Sequence, residues 1–252
     1  MAFNRAGHDA SWTNSQADAG TTAKPAGALG QLLKKPAVRI LIADDHDMIR
    51  QGLRRTLEQR EDWQVCGEAT NGREAVELAK KLMPNVVILD LTMPELNGLE
   101  ATSQIKKVLP NTEIMIFSIH ESSELTHRVL EAGARGYLLK SDMGKHVISA
   151  VEALAEHKVY FTWAVSKTML DAYLRDGTPV TDKVERFSEL TPREREIIQL
   201  LGEGHSNKGI STRLGISVKT VETHRAAIMR KLNINSFAHL VRYAIRNRIV
   251  EA

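Results

Sequence analysis

Five short apolar runs alternate with five longer segments of helical spacing between residues 38 and 156, and this alternation restricts the fold most strongly. The runs lie at 38–43 (VRILIA), 64–69 (QVCGEA), 86–89 (VVIL), 113–118 (EIMIFS) and 136–139 (GYLL). The helical segments lie at 47–60, 72–83, 98–109, 122–132 and 143–156. Strands that alternate with helices in this way form a parallel sheet with helices on both faces. The sequence therefore predicts an α/β domain built on a doubly wound, five-stranded parallel sheet.

Charged and hydroxyl side chains follow four of these predicted strands. Asp44 and Asp45 end the first strand, Asp90 the third, Ser118 the fourth and Lys140 the fifth. In open α/β sheets, ligands bind outside the carboxyl ends of the strands. We therefore expect these side chains to converge on one edge of the sheet.

Three carboxylates in one pocket repel one another unless a cation lies among them. An oxygen-only ligand set of this size suits Mg²⁺, which uses few carboxylates and keeps several waters. The metal and Lys140 would neutralise incoming phosphoryl oxygens, so that Asp90 could act as a nucleophile and become an aspartyl phosphate. Ser118 would then donate a hydrogen bond to the new phosphoryl group.

Simpler interpretations exist for each polar residue taken alone. A lone aspartate at a strand end is commonly a helix cap or a turn residue, but the lysine and the hydroxyl in register favour a functional interpretation for Asp90. Asp47 is expected to cap a helix that begins at Met48. His46 and His120 are expected to be solvated loop residues beside the pocket.

Basic residues are concentrated near the end of the chain, although its net charge is only +3. Residues 204–250 contain nine lysines and arginines and a single acidic residue, Glu222. This imbalance predicts a second domain that faces a polyanion. Its first helix is marked by Thr191 as N-cap, Pro192 at the first helical position and Glu194 as the partner in a capping box, and it extends to about Leu201.

A helix-turn-helix follows in this basic segment. A short helix over 207–214 and a longer helix over 218–232 are joined by a glycine turn, and Asn233 suits a left-handed stop. Two such helices, with the second one basic, are typical of DNA binding. The buried face of the longer helix is predicted to contain Val218, Val221, Ile228 and Leu232. The apolar stripe of a last helix, 236–248, would either close the domain's own core or form a dimer face.

Polar side chains of these two helices are the candidates for contact with base edges and phosphates. They are Lys208, Ser217, Lys219, Thr220, Thr223, His224, Arg225 and Lys231. Lys208 and Lys231 are expected to neutralise phosphates. The alternative, a merely solvated helix face, is disfavoured by the glycine turn and the helical register. Glu222 would repel phosphate unless it accepts a hydrogen bond from a cytosine amine.

Composition limits the class of protein and its compartment. The 252 residues contain no apolar run near the roughly 20 residues of a membrane span, and the N-terminus lacks the apolar core of a secretory signal. One cysteine, Cys66, excludes an internal disulfide and fits a reducing cytoplasm. The predicted segments are a disordered extension at 1–36, the α/β domain at 37–157, a linker with a helix at 158–187 and the helical domain at 188–252.

The chain resembles a known family in both domains. The acidic pair Asp44/Asp45, Asp90 followed by "LTMPELNG", Ser118, and Lys140 within "GARGYLLK" are similar to the receiver domain of two-component response regulators. The segments "LTPREREIIQLL", "SNKGIS" and "LGISVKTVETHRAAIMRKL" resemble the LuxR-type helix-turn-helix domain. Together they indicate a response regulator of the NarL/FixJ type, with Gly209 and Ser211 as small departures from the family pattern.

This resemblance implies roles for individual residues. A sensor histidine kinase would phosphorylate Asp90. Mg²⁺ would be bound by Asp45, Asp90 and the backbone carbonyl of Thr92, with Asp44 acting through water. Ser118 and Tyr137 would form a switch pair, in which the hydroxyl moves to the phosphate and the aromatic ring follows inward.

Three functional hypotheses follow. The first is a phosphorylation-controlled transcription regulator that is not an enzyme, binds double-stranded DNA and forms a homodimer when active. The second is a phosphotransfer enzyme, which would need an acid/base group where Thr92 stands. The third is a receiver-containing DNA-binding protein that acts independently of phosphorylation, which the intact acidic pocket disfavours.

Overall fold

The apolar runs of the first domain form the strands of one parallel sheet. The computed structural model describes residues 37–120, 122–163, 165–167 and 190–250. The predicted extension at 1–36 and much of the predicted linker lie outside the described residues. The strands are β1 (Val38–Ala43), β2 (Trp63–Ala69), β3 (Val86–Asp90), β4 (Glu113–Ser118), β5 (Gly136–Leu139) and β6 (Tyr160–Phe161).

Helices connect these strands and cover both faces of the sheet. They are α1 (Asp47–Leu57), α2 (Gly72–Leu82), α3 (Gly98–Val108), α4 (Ser123–Glu131) and α5 (Met143–Ala155), with a 3₁₀ turn at Lys140–Asp142. The strand order is β2-β1-β3-β4-β5-β6 and every pairing is parallel. The order reverses beside β1, as in a doubly wound sheet, so the predicted fold class is confirmed.

The alternating side chains of the central strands fill two separate cores. Leu41, Val87 and Ile116 lie in the core under α2, α3 and α4. Ile40 and Ile88 lie in the core on the opposite face, with residues of α1 and α5. Because both faces are buried, the central strands consist of nearly continuous apolar runs, which explains why the sequence marked them so clearly.

A sixth strand extends the predicted five. Strand β6 lies parallel to β5, with Tyr160 opposite Gly136 and Phe161 opposite Tyr137. The Tyr160 backbone N–H donates to the carbonyl of Arg135 at 2.9 Å. Two residues are too few for a recognisable period, so their pairing with β5 is a tertiary contact that sequence reasoning missed.

Four helices form the second domain over its described residues, 190–250. They are α6 (Pro192–Gly202), α7 (Asn207–Leu214), α8 (Val218–Lys231) and α9 (Phe237–Arg246). The predicted capping box is confirmed, because Thr191 and Glu194 each accept a hydrogen bond from the other's backbone N–H. Asn233 has the predicted left-handed conformation, with φ of 52°. Leu240 and Ala244 of α9 are buried in the domain's own core.

Two local predictions were wrong. Asp47 does not cap α1 but is its first residue, and its carboxylate accepts from Arg50 Nη2 at 2.9 Å and Gln51 Nε2 at 2.6 Å. Val218 is 38% exposed, although Val221, Ile228 and Leu232 are buried as predicted. Val218 is the first residue of α8 and lies at the exposed end of the helix, so its place in the apolar period does not bury it. Among the described helices, none is long and apolar enough to cross a membrane.

Candidate functional site

Strand register brings the predicted acidic residues, the hydroxyl and the lysine to one edge of the sheet. Ala43 lies opposite Leu89, so Asp44 follows level with Asp90. Asp90 in turn lies opposite Phe117, one residue before Ser118. Ser118 lies opposite Leu139, one residue before Lys140. The expected convergence is therefore present, and it arises because parallel strands end together.

Lys140 lies between two buried carboxylates. Its Nζ is 2.7 Å from Asp44 Oδ2 and 2.9 Å from Asp90 Oδ2, and the two aspartate side chains are only 1% and 5% exposed. Burial and the neighbouring Asp44 carboxylate raise the pKa of Asp90 to about 7, against the opposing effect of Lys140. Burial lowers the pKa of Lys140, but Asp90 and Asp44 outweigh it and raise that pKa above its ordinary value. The lysine therefore stays charged beside a carboxylate that is close to neutralisation.

Asp44 and Asp45 form an acidic turn after β1. Two residues that the sequence did not assign to the site, His46 and Arg50, hold this turn in place. The backbone N–H of His46 donates to Asp44 Oδ1 at 2.9 Å, and its Nδ1 lies 2.9 Å from Asp45 Oδ1. Arg50 Nη1 donates to the backbone carbonyl of Asp44 at 2.8 Å. An arginine within the helix that follows an acidic turn is the signal that could have identified Arg50.

Four side chains of this turn and of β3 could share a metal ion. Ligand atoms of Asp44, Asp45, His46 and Asp90 lie within 4.8 Å of one another. Three of these four groups are carboxylates, and carboxylate oxygens are the side-chain ligands that Mg²⁺ prefers. The donor set therefore fits this ion. Thr92, the predicted carbonyl ligand, lies buried in the loop that follows Asp90.

The predicted switch residues both bond to the main chain of His120. Ser118 Oγ accepts from the His120 N–H at 3.1 Å, and the Tyr137 hydroxyl donates to the His120 carbonyl at 2.5 Å. Tyr137 is fully buried, so its ring already points inward. A single loop residue thus contacts both side chains.

Gly98 is a further residue that shapes this edge. A Cβ at this position would lie 2.2 Å from the backbone oxygen of Asp90, a distance that no side chain tolerates. Glycine is therefore needed where the start of α3 approaches the end of β3. The segment "LNG" after Asp90 carries this signal in the sequence.

The eight predicted DNA-contact residues lie on α7, on α8 or at the cap between them. Lys208, Ser217, Lys219 and Thr223 are exposed, whereas the other four are partly buried. Ser217 caps α8 by accepting from the Thr220 N–H at 3.0 Å.

Two of the predicted contacts are engaged within the protein. Lys231 Nζ lies 2.7 Å from Glu194 Oε2, so this lysine pairs with the capping box of α6. The Arg225 guanidinium lies 5.3 Å from the centroid of the Phe237 ring. The exposed members of the predicted set therefore lie at the cap and in the first turns of α8, together with Lys208 on α7.

Two protein families match the chain. The response regulator receiver domain matches residues 40–152, and the bacterial regulatory proteins of the luxR family match residues 188–244. The chain is 33% identical over 219 residues to the transcriptional regulatory protein MctR of Rhizobium johnstonii, covering 87% of this chain and 98% of that protein. It is 36% identical over 217 residues to the oxygen regulatory protein NreC of Staphylococcus epidermidis, covering 85% and 100%.

Solved structures of RcsB are similar over both domains. One structure of the Salmonella typhimurium protein has a TM-score of 0.52 at 27% identity and covers 83% of this chain and 98% of that one. A structure of RcsB from Salmonella enterica serovar Typhimurium, bound to promoter rprA with the phosphomimetic BeF3-, has a TM-score of 0.55 at 27% identity and covers 82% and 98%. The similarity therefore extends over nearly the whole length of those chains.

Proposed function

The chain belongs to the response regulators that join a receiver domain to a LuxR-type DNA-binding domain, and we propose that Asp90 is its phosphorylation site. It is a transcription regulator of a two-component system, controlled by phosphorylation. The observation that carries the choice of Asp90 is its position, nearly buried, 2.9 Å from the Lys140 ammonium and beside two further aspartates.

The proposed reaction is phosphoryl transfer from a phosphohistidine of a sensor kinase. An ionised Oδ of Asp90 attacks phosphorus, the P–N bond breaks, and its electron pair leaves with the imidazole nitrogen. Lys140 can shift from the Asp90 carboxylate to a phosphoryl oxygen, where its charge offsets the developing negative charge. The Ser118 hydroxyl, which accepts from the His120 N–H, would donate a hydrogen bond to the phosphoryl group. Tyr137, whose hydroxyl donates to the His120 carbonyl, would respond through the same loop.

Residues of the acidic turn and of the end of β3 would hold the metal. Asp45, Asp90 and the Thr92 carbonyl are the proposed Mg²⁺ ligands, and Asp44 acts through water. When bound, this ion supplies positive charge to the phosphoryl oxygens. Arg50 keeps the Asp44 backbone in place while the carboxylates bind.

Duplex DNA is the proposed partner of α7 and α8. Lys208, Lys219 and Thr223 are exposed and can reach phosphates or base edges. We place the regulator in the cytoplasm with its kinase and DNA, and we expect a homodimer in the active state, because two half-sites require two-fold symmetry.

Intact mass spectrometry tests the phosphorylation site. The protein is incubated with Mg²⁺ and acetyl phosphate, and we expect one phosphoryl adduct on the parent and on the control Asp62→Asn, but none on Asp90→Asn. Asp62 is a half-exposed aspartate that does not belong to the group of possible metal ligands formed by Asp44, Asp45, His46 and Asp90. An adduct that persists in Asp90→Asn would contradict the proposal. Full DNA binding without any adduct on the parent would favour the phosphorylation-independent alternative.

Salt-dependent binding tests the DNA surface. For Lys208→Ala, we expect weaker binding to duplexes of any sequence and a salt dependence whose slope falls by about 1, as for one lost phosphate contact. Lys158→Ala is the matched control, because Lys158 is 70% exposed and lies between α5 and β6, away from α7 and α8 in the chain. An unchanged slope in Lys208→Ala would remove this residue from the interface.

A further inference from the structure

Both domains line the space beside the acidic pocket. A cavity of about 160 Å³ has Asp45, Thr92, Met93 and Pro94 on the receiver side. Its opposite wall is formed by Gly202 and Glu203 at the end of α6 and by Ile249 and Val250 after α9. Asp45 and Thr92 are proposed metal ligands, so the DNA-binding domain forms part of the approach to Asp90.

The side chain of Gln199, on α6, makes two hydrogen bonds to the backbone of the loop that follows Asp90. Its Nε2 donates to the Met93 carbonyl at 2.7 Å, and its Oε1 accepts from the Asn97 backbone N–H at 2.7 Å. Glu203 Oε1 accepts from the Glu95 backbone N–H at 2.9 Å. Gln199 is 1% exposed, so its hydrogen bonds are made away from water, where leaving them unmade is costly.

Further polar contacts join the second domain to α3 and α4 of the receiver. Arg195 pairs with the buried Glu100, and Gln104 Nε2 donates to Glu196 Oε1 at 2.7 Å. Arg128 Nη1 donates to the carbonyl of Asn247 at 3.1 Å. These contacts involve α6 and the residue after α9.

The recognition helix keeps its reading face open in this arrangement. Lys219, Glu222 and Thr223 of α8 are exposed while α6 is docked. The docked domain therefore covers the approach to the acidic pocket, whereas base-reading side chains stay accessible.

We propose that undocking of α6 is the step that admits a phosphodonor to Asp90, so that Gln199 and Glu203 set the rate of phosphorylation. A protein phosphodonor presents its phosphohistidine from a folded surface, and that surface must lie where Gly202, Glu203 and Val250 now lie. Glu203 and Asp45 both line the cavity that a small anionic donor would enter, and their carboxylates repel it. Opening thus precedes phosphoryl transfer. This inference rests on phosphorylation at Asp90.

The first test compares rates of adduct formation in the full chain. With Mg²⁺ and acetyl phosphate, Gln199→Ala should form the adduct about three- to tenfold faster than the parent, the shift expected when one buried hydrogen-bonded group is lost from the docked state. Gln59→Ala is the matched control, because Gln59 is exposed at the end of α1. Its rate should equal that of the parent.

A second test locks the domains together. In a Cys66→Ser background, Gln104→Cys and Glu196→Cys are joined by a short bismaleimide, because these side chains are hydrogen-bonded at 2.7 Å. The same protein capped with N-ethylmaleimide is the control. The linked protein should be phosphorylated about tenfold or more slowly than the capped one, and circular dichroism checks that both are folded.

The outcomes separate this inference from the assignment of Asp90. Equal rates in the linked and capped proteins would overturn the role of undocking, whatever Gln199→Ala shows. An adduct that survives Asp90→Asn, or no adduct on the parent and the capped protein, would instead overturn the phosphorylation site itself. A slow linked protein together with a fast Gln199→Ala variant is the result that we expect.

Discussion

At the scale of single residues, Lys140 keeps two buried carboxylates at the same edge of the sheet. Its Nζ is within 2.9 Å of both Asp44 and Asp90. Without a cation, the two carboxylates would repel each other, and the pKa of Asp90, already raised to about 7, would rise further. Lys140 thus stands in for positive charge that a bound metal would otherwise supply.

Lys140→Ala should therefore lower stability in a metal-dependent way. We expect the free energy of unfolding without Mg²⁺ to fall by about 1–3 kcal/mol, less than for a rigid buried pair because Asp90 can take up a proton. Added Mg²⁺ should stabilise Lys140→Ala more than the parent. Urea denaturation with and without Mg²⁺ measures this, and the exposed Lys145→Ala serves as control. If Mg²⁺ stabilised Lys140→Ala no more than it stabilises the parent, the role given to Lys140 would be contradicted.

At the scale of elements, helix ends are set by local capping. Ser206, Ser217 and Ser236 each accept from a backbone N–H three residues later, at the starts of α7, α8 and α9. Gly215 closes α7 in the left-handed conformation, with φ of 63°. These short-range bonds explain why the bounds of the helix-turn-helix were predictable from residue type.

Gly209→Ala should stabilise α7. Gly209 lies inside the helix, and an added Cβ would meet only Ser206 Oγ, at an ordinary 3.5 Å. We expect a gain of about 0.5–1 kcal/mol from reduced chain entropy. Gly215→Ala is the matched comparison and should destabilise the protein by about 1–2 kcal/mol, since its φ is left-handed. Thermal unfolding checks both, and a shift of the same sign in the two variants would refute the argument.

At the scale of the whole molecule, buried charge joins the two domains. Glu100 is 4% exposed and pairs with Arg195 across the interface. Burial raises the pKa of Glu100, and Arg195 opposes that rise. While the domains are docked, this carboxylate is buried and its charge depends on Arg195 of the other domain.

Arg195→Ala should loosen the docking without unfolding either domain. The unpaired Glu100 can return to water when α6 leaves, so the backbone N–H groups of Glu95 and Asn97 lose their acceptors on α6. We expect faster hydrogen exchange at these two amides. Combining Arg195→Ala with Glu100→Gln should restore part of the protection. Arg213→Ala, exposed on α7, should leave exchange unchanged, and unaltered protection in Arg195→Ala would contradict the prediction.

Most of the fold and the residues at the sheet edge were predictable from the sequence, because each depends on a short stretch of chain. Apolar runs such as Ile40–Ile42 mark strands buried on both faces, and Thr191 with Glu194 marks a helix start. The convergence of Asp44, Asp90 and Lys140 followed from the common direction of parallel strands. The functions of these residues stay predictions until phosphorylation and DNA binding are measured.

Other features depended on contacts between distant parts of the chain. Strand β6 exists because Tyr160 and Phe161 pair with the otherwise free edge of β5. From the sequence, Gln199 is only one polar residue of an amphipathic helix. In the structure, its side chain is hydrogen-bonded to the backbone of Met93 and Asn97, about 100 residues earlier. Periodicity and capping act over a few residues, whereas docking requires two folded surfaces to meet. The sequence therefore determined the elements and the chemistry at the sheet edge, and only the tertiary structure decided which domain covers that edge.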